Sequence, residues 1–221
     1  MSPCFFLVRH AQSANNAQHE QFRMPDPPIT SLGESQSHRL ALAMESYGLT
    51  RLLVSPFLRA IQTVRGVAER TGIQPHIHSE IFEQGGCYRG HLPGDRHPMP
   101  GMGNEELKRL CPGWTLDPRI AADGWNSLDH YETIEEARQR AQRVADWLAT
   151  EARTSGVRMA LIIHADFKMR LLEAMLDRDD LESHFGDVVN TSISRLSRAG
   201  NRWRLDYWNA HQHLEPEWVT T

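Results

Sequence analysis

Two histidines and two arginines command attention because each closely follows a run of aliphatic residues. FFLVRH (residues 5–10) ends an apolar run in Arg9 and His10, with the small polar stretch AQSANN behind it. MALIIH (159–164) ends in the same way at His164. A third run, LLVSPFLRA (52–60), carries Arg59 one turn into the segment that follows. Two guanidiniums and two imidazoles with no metal-ligand spacing would attract a dianionic phosphoryl group, since guanidinium forks match phosphate oxygens. One imidazole can then attack phosphorus, provided its neighbours hold it neutral and oriented.

For these four side chains to meet, the runs that carry them must be neighbouring strands ending at one edge. Continuous apolar runs of this length read as buried strands, and open parallel sheets place ligand crevices beyond the carboxyl ends of their strands. The intervening segments have helical character. TSLGESQSHRLALAMESYG (30–48) offers Thr30 or Ser31 as a cap, Leu40, Ala43 and Met44 as an apolar face, and Gly48 as a stop. RAIQTVRGVAERTG (59–72) ends at Gly72, and PHIHSEIF (75–82) reads as a third, shorter strand. TIEEARQRAQRVADWLATEAR (133–153) is the clearest helix, with Ile134, Ala137, Ala141, Val144, Ala145 and Leu148 on one stripe and a Thr133/Glu136 capping box. FKMRLLEAMLD (167–177) follows the His164 strand as a helix, and SISRLSRAGNRWRLDYWN (192–209) alternates around Ala199-Gly200-Asn201 as a hairpin.

This alternation predicts a three-layer α/β/α fold: a mainly parallel sheet with helices on both faces and an antiparallel hairpin at its edge. One domain is expected across 1–221. The Gly/Pro-rich stretch 85–130 carries one short helical segment, near Asn104 to Cys111, and reads as an irregular cap or specificity insertion over the active site. Its Tyr88, Trp114, Trp125 and leucines favour a packed segment over a disordered one.

Composition narrows the function classes. A net charge of −4 argues against general binding to nucleic acid or to a membrane surface. No apolar run approaches the ~20 residues that span a bilayer. Cys4, Cys87 and Cys111 make no CxxC pair or zinc spacing, which suits a reducing, cytoplasmic setting. The amino terminus lacks a basic lead and a cleavage pattern, so no signal peptide is expected. The alternating pairs His76/His78 and His211/His213 read as packed or surface histidines, and neither a metal nor a cofactor is expected.

Five segments carry a family resemblance. LVRHAQSANN is similar to the signature L-V-R-H-G-x-S-x-x-N, DPPITSLGESQ to D-x-P-L-T-x-x-G-x-x-Q, and SPFLRAIQT matches S-P-x-x-R-A-x-Q-T throughout. LIIHADF resembles the second histidine segment, and NTSISRL followed by a hairpin and WNAHQHL resembles the tail of many bacterial members. In this order they resemble the histidine phosphatase superfamily, in its phosphoglycerate mutase-like branch. The resemblance implies that His10 is a nucleophile that becomes phosphohistidine. It also implies that Arg9, Arg59 and His164 bind the phosphoryl oxygens and stabilise their charge during transfer, with Ser13 and Asn16 contributing to the phosphate pocket. A Glu or Asp after the third strand usually protonates the leaving group in this superfamily. Glu83 is the choice here, in an apolar and Gly-rich setting that would raise its pKa, and Glu80 is its rival.

Two departures bear on activity. Ala11 and Ala165 stand where the motifs carry glycine, which is harmless if the backbone there has negative φ. The acid segment EQGGCYRG differs from the glycolytic mutase version, and basic residues for a second phosphate are not recognisable in the insertion. The expectation is therefore a metal-independent phosphomonoester hydrolase acting on a small phosphorylated metabolite. The alternatives are a phosphoglycerate-type mutase, with Arg89, Arg96, Lys108 or Arg109 gripping a second anion, and a non-catalytic phosphate-binding domain. The exposed hairpin edge permits a homodimer without requiring one.

Overall fold

The structure, a computed structural model, describes residues 3–221. All six residues of β1 (Cys4–Arg9) are buried. Side chains alternate between the faces of a strand, so Cys4, Phe6 and Val8 enter one core and Phe5 and Leu7 the other. A strand covered on both faces needs a continuous apolar run, which explains the lack of polar alternation here.

The chain continues through one helical turn, α1 (Ala14–Ala17), into α2 (Ser31–Met44), whose start is capped by Thr30 Oγ1 accepting from the Gly33 N–H at 3.0 Å. Strand β2 (Arg51–Val54) leads to α3 (Leu58–Thr71), which Gly72 ends in the left-handed region at φ 69°. After β3 (His76–Ile77) come the antiparallel pair β4 (Tyr88–Arg89) and β5 (His97–Pro98), then α4 (Asn104–Leu110) and β6 (Thr115–Leu116). Helix α5 (Ile134–Glu151) begins in the expected Thr133/Glu136 capping box and precedes β7 (Arg158–Ile163) and α6 (Ala165–Leu176). Strands β8 (Ile193–Ala199) and β9 (Arg202–Ala210) form the terminal hairpin.

Seven strands build one sheet in the order β6-β3-β2-β7-β1-β8-β9, parallel from β6 to β1 and antiparallel across β8 and β9. Leu40, Met44, Ile61 and Val64 from α2 and α3 cover one face, and Val144, Leu148, Phe167 and Leu171 from α5 and α6 cover the other. The result is the three-layer α/β/α arrangement. Among the described residues no helix is long and apolar enough to cross a membrane.

Four local differences from the sequence reading have physical causes. The third strand has only two residues, because the backbone N–H and hydroxyl of Ser79 turn aside to the Asp117 carboxylate, at 3.1 and 2.7 Å. The hairpin is more than an edge: β8 lies directly beside β1, and only β9 is peripheral. Ile134 is 52% exposed despite its place on the apolar stripe of α5, while Arg140 on that helix is 3% exposed. The 85–130 stretch is partly framework. Its β6 extends the parallel sheet past β3, and Leu107, Cys111, Ile120 and Trp125 enter the core.

The double-sided core makes β1 the most sensitive strand to truncation. Phe5 is fully buried and meets Trp203 edge-on, with ring centroids 5.1 Å apart. Phe5→Ala should lower unfolding free energy by about 3–5 kcal/mol, measured by urea denaturation; a loss under about 1 kcal/mol would contradict this packing.

Candidate active site

Because β2, β7 and β1 are adjacent and parallel, their carboxyl ends lie side by side. The ladder runs on past the strands: the His10 N–H donates to the Ile163 carbonyl at 2.9 Å, and the Ser55 N–H to that of Ile162 at 3.1 Å. His10 and His164 are thereby set with ring centroids 5.0 Å apart. Arg59 enters from the first turn of α3, its guanidinium 4.0 Å above the Phe57 ring, and its Nε donates to His10 Nε2 at 3.2 Å. The four residues predicted to share a crevice are brought together, and all are buried.

The tautomer of His10 follows from its partners. Nδ1 lies 2.7 Å from the Ala11 carbonyl oxygen, which can only accept, so Nδ1 carries the hydrogen and Nε2 presents a lone pair. Burial, then the charges of Arg59 and Arg9, push the ring's pKa well below its ordinary value and keep it neutral. His164 is likewise held neutral, chiefly by burial. Its Nε2 lies 2.7 Å from the Ser55 hydroxyl, and its Nδ1 has no protein partner. A hydroxyl that donates to Nε2 leaves Nδ1–H free to donate.

Arg9 Nη1 donates to the Val188 carbonyl, while Arg9 Nε and Arg59 Nη1 are buried without acceptors. Buried polar groups are normally satisfied, so unpaired donors from β1, α3 and the end of β7, at the same edge of the sheet as His10, fit a tetrahedral oxyanion. Asp26 orients this set from outside, accepting from the Leu58 N–H at 2.9 Å and lying 4.0 Å from Arg59 Nη1. Burial pushes the Asp26 carboxyl up to about 6. A cavity of about 340 Å³ adjoins Arg9, bounded by Asp166, Met169, Phe185 and Val188.

Glu83 and Glu80 separate clearly. Glu83 Oε1 accepts from the N–H groups of Gln84 (2.9 Å) and Phe167 (3.0 Å), the latter in the first turn of α6 after His164. Burial and the Asp166 carboxylate raise its pKa to about 7, against the pull of those N–H groups and Arg59. Glu80 instead faces Arg143 (3.0 Å) and Arg119 (2.8 Å), which hold it below the ordinary carboxylate range. Of the two, Glu83 has the environment of a proton donor.

Other expected residues fall less directly. Ser13 is buried, but its N–H and hydroxyl both donate to Asn16 Oδ1, at 3.0 and 2.9 Å, so the two pair with each other. Ala11 and Ala165 are absent from the positive-φ residues, so neither position requires glycine. Cys87 is a buried thiol whose pKa burial pushes up to about 12, unsuited to nucleophilic chemistry. Lys108 pairs with Glu105 on the exposed side of α4, and Arg89 and Arg109 are exposed. Arg96 stacks on Tyr131 at 4.3 Å, and Arg23 covers Tyr88 at 4.4 Å. Among the described residues no group of three or more His, Cys, Asp or Glu side chains is placed to hold a metal.

The sequence reading missed the supports of the site. The Asn190 amide donates to the His10 carbonyl at 3.0 Å, and the Thr191 N–H reaches the carbonyls of Arg9 (3.1 Å) and His10 (3.3 Å). Thr191 pays for this with φ 57°, a strained value for a β-branched residue. Lys168, fully buried, donates to the Ser192 carbonyl and hydroxyl at 3.2 and 3.1 Å. A lysine within an otherwise apolar helix face was the available signal.

The model for the histidine phosphatase superfamily (branch 1) matches residues 5–211. The chain belongs to that superfamily. It is 26% identical over 206 residues to "Probable phosphoglycerate mutase GpmB" of Enterobacter sp. (strain 638), covering 92% of this chain and 88% of that protein. It is 23% identical to "Uncharacterized phosphatase PhoE" of Bacillus subtilis, covering 94% and 95%. Its fold resembles that of Bacillus stearothermophilus YhfR, with TM-score 0.69, 19% identity and coverage of 97% and 100%. It also resembles the ecdysone phosphate phosphatase of Bombix mori in complex with tungstate, with TM-score 0.69, 17% identity and coverage of 96% and 95%.

The carboxyl pair yields a signed pH prediction. Asp166 raises Glu83, so Asp166→Asn should lower the Glu83 pKa. If protonated Glu83 is required, activity falls as pH rises through about 7, and in the variant this decline should move to lower pH. A pH–rate profile with an unmoved or alkaline-shifted limb would contradict the coupling.

Proposed function

We propose that this chain hydrolyses a small phosphomonoester through a phosphohistidine formed on His10. The observation that carries the reading is the state of His10: a buried neutral imidazole with Nδ1–H held by the Ala11 carbonyl and its Nε2 lone pair facing Arg59 Nε, in a site where Arg9 Nε and Arg59 Nη1 are buried without acceptors. Arg9, Arg59 and the His164 Nδ1–H take the non-bridging phosphoryl oxygens, with Arg59 Nε turning from the lone pair onto the anion. Asn16 Nδ2 adds a further donor. Phosphoryl transfer makes little covalent demand on the protein beyond such placement and charge compensation.

In the first step Nε2 attacks phosphorus, the bond from phosphorus to the ester oxygen breaks, and the Glu83 proton passes to the departing oxygen. The positive charge on the phosphorylated ring is stabilised by the Ala11 carbonyl through Nδ1–H. In the second step the Glu83 carboxylate takes a proton from water as its oxygen attacks phosphorus. The N–P bond breaks, and phosphate and neutral His10 are released.

Transfer to a second hydroxyl is the competing outcome. Arg23 and Arg96 favour it, because the Nε of each is buried without an acceptor and both guanidiniums stack on tyrosines of the 85–131 region. Inorganic phosphate release from a generic aryl phosphate supports hydrolysis, whereas bisphosphate-stimulated interconversion of phosphoglycerates supports a mutase. Phosphate binding without turnover on a broad panel would support a non-catalytic domain.

Turnover should persist in EDTA, and acid-labile label from a radiolabelled substrate should map to His10 after quenching. His10→Ala should reduce turnover by at least about 10³-fold; a fully active variant would exclude His10 as nucleophile.

A further inference from the structure

Helix α5 carries a buried arginine that is not spent on the helix itself. Arg140 makes a two-pronged pair with Glu132, from Nε to Oε1 at 2.7 Å and from Nη2 to Oε2 at 2.6 Å, and both side chains are 3% exposed. Its remaining nitrogen, Nη1, donates to the carbonyls of Glu80 (2.8 Å) and Phe82 (3.0 Å). Glu132 completes the clasp by accepting from the Gly85 N–H at 3.3 Å. The two residues therefore grip the backbone on both sides of Glu83.

The guanidinium plane is held as tightly as its edge. Its centre lies 3.6 Å from the Phe82 ring centroid and 4.2 Å from that of Phe167. Phe82 precedes Glu83 in the chain, and the Phe167 N–H is one of the two donors that fix the Glu83 carboxyl. Apart from the pair with Glu132, the contacts of Arg140 fall on the Glu80–Phe82 segment that leads into Glu83 and on Phe167, which binds its carboxyl. Neither residue belongs to the phosphate pocket, and burying such a pair is not in itself stabilising, since desolvation offsets much of the attraction.

We propose that the Arg140–Glu132 pair is a positioning device that holds Glu83 for proton transfer to the leaving group. This rests on the assignment of Glu83 as the acid. Arginine suits the task because its planar fork bonds a carboxylate and still reaches two carbonyls, which a lysine ammonium cannot do at the same spacing. Glu132 has a second role. By neutralising Arg140 it keeps a guanidinium from drawing the proton off Glu83, which is also faced by Asp166 from α6, Arg59 from α3 and Arg9 from β1.

The test is a series of substituted phenyl phosphates, alike in shape but differing in leaving-group acidity, hydrolysed by wild type, Glu83→Gln, Arg140→Lys, Glu132→Gln and the double variant Glu83→Gln/Arg140→Lys. Poor leaving groups need the proton and good ones do not. Each single variant should lose at least about tenfold more kcat/KM, which reports the first phosphoryl transfer and not the hydrolysis of phosphohistidine, on phenyl phosphate than on 4-nitrophenyl phosphate. The double variant should be no more selective than Glu83→Gln alone. Equal losses on both substrates by Arg140→Lys and Glu132→Gln, with Glu83→Gln selective, would overturn the positioning role alone. A Glu83→Gln enzyme without selectivity would overturn the acid assignment, and this role with it. Arg140→Lys and Glu132→Gln keep charge or shape, and if one does not fold, by circular dichroism, the other decides.

Discussion

The site depends on the common register of β2, β7 and β1. Because the ladder extends through the N–H groups of Ser55 and His10, the residues just beyond each strand are still part of the sheet. Their backbone is as rigid as the core beneath it, which is buried on both faces. Side chains leaving such a frame need little reorganisation before an anion arrives, the condition under which fixed donors act most strongly on a developing charge. The antiparallel β8 extends the constraint. Its pairing with β1 places Asn190 and Thr191 over the His10 carbonyl, and the left-handed Thr191 is tolerated because sheet and turn together over-determine it.

The electrostatics follow from burying many charges with few solvent contacts. Arg9, Arg59 and Lys168 crowd one end of the sheet, and burial lowers the pKa of each. Burial first, and the charges of these arginines second, hold both imidazoles neutral. Burial acts the opposite way on Asp26, Glu83 and Asp166, which all rise. One physical cause, desolvation, therefore prepares both an uncharged base and a protonated acid within a few side chains of each other.

Much of this was legible in the chain. Apolar runs that end in Arg9-His10 and His164 mark buried strands, and Thr30, Gly72 and Thr133 mark the helix ends that the structure shows. The 85–130 stretch was least legible, because its strands are only two residues long and leave no periodicity to read. Ser13 and Asn16 show a different limit: the family motif implied a phosphate contact, whereas the described geometry pairs them with each other.

Local pattern by itself determined the layer order, the strand ends that carry the cations and the residue types gathered there, since each depends on nearest-neighbour periodicity and capping. Tertiary structure decided what depends on contacts distant in sequence. Arg59 donates to His10 Nε2 and so marks it as the nitrogen with the lone pair, Arg119 and Arg143 claim Glu80, and Phe167 fixes Glu83. An imidazole or a carboxyl has no fixed protonation state until its burial and partners are known. The Arg-His pair could thus be recognised from the chain, but which nitrogen of His10 bears the lone pair, and which glutamate can keep a proton, was settled by the fold.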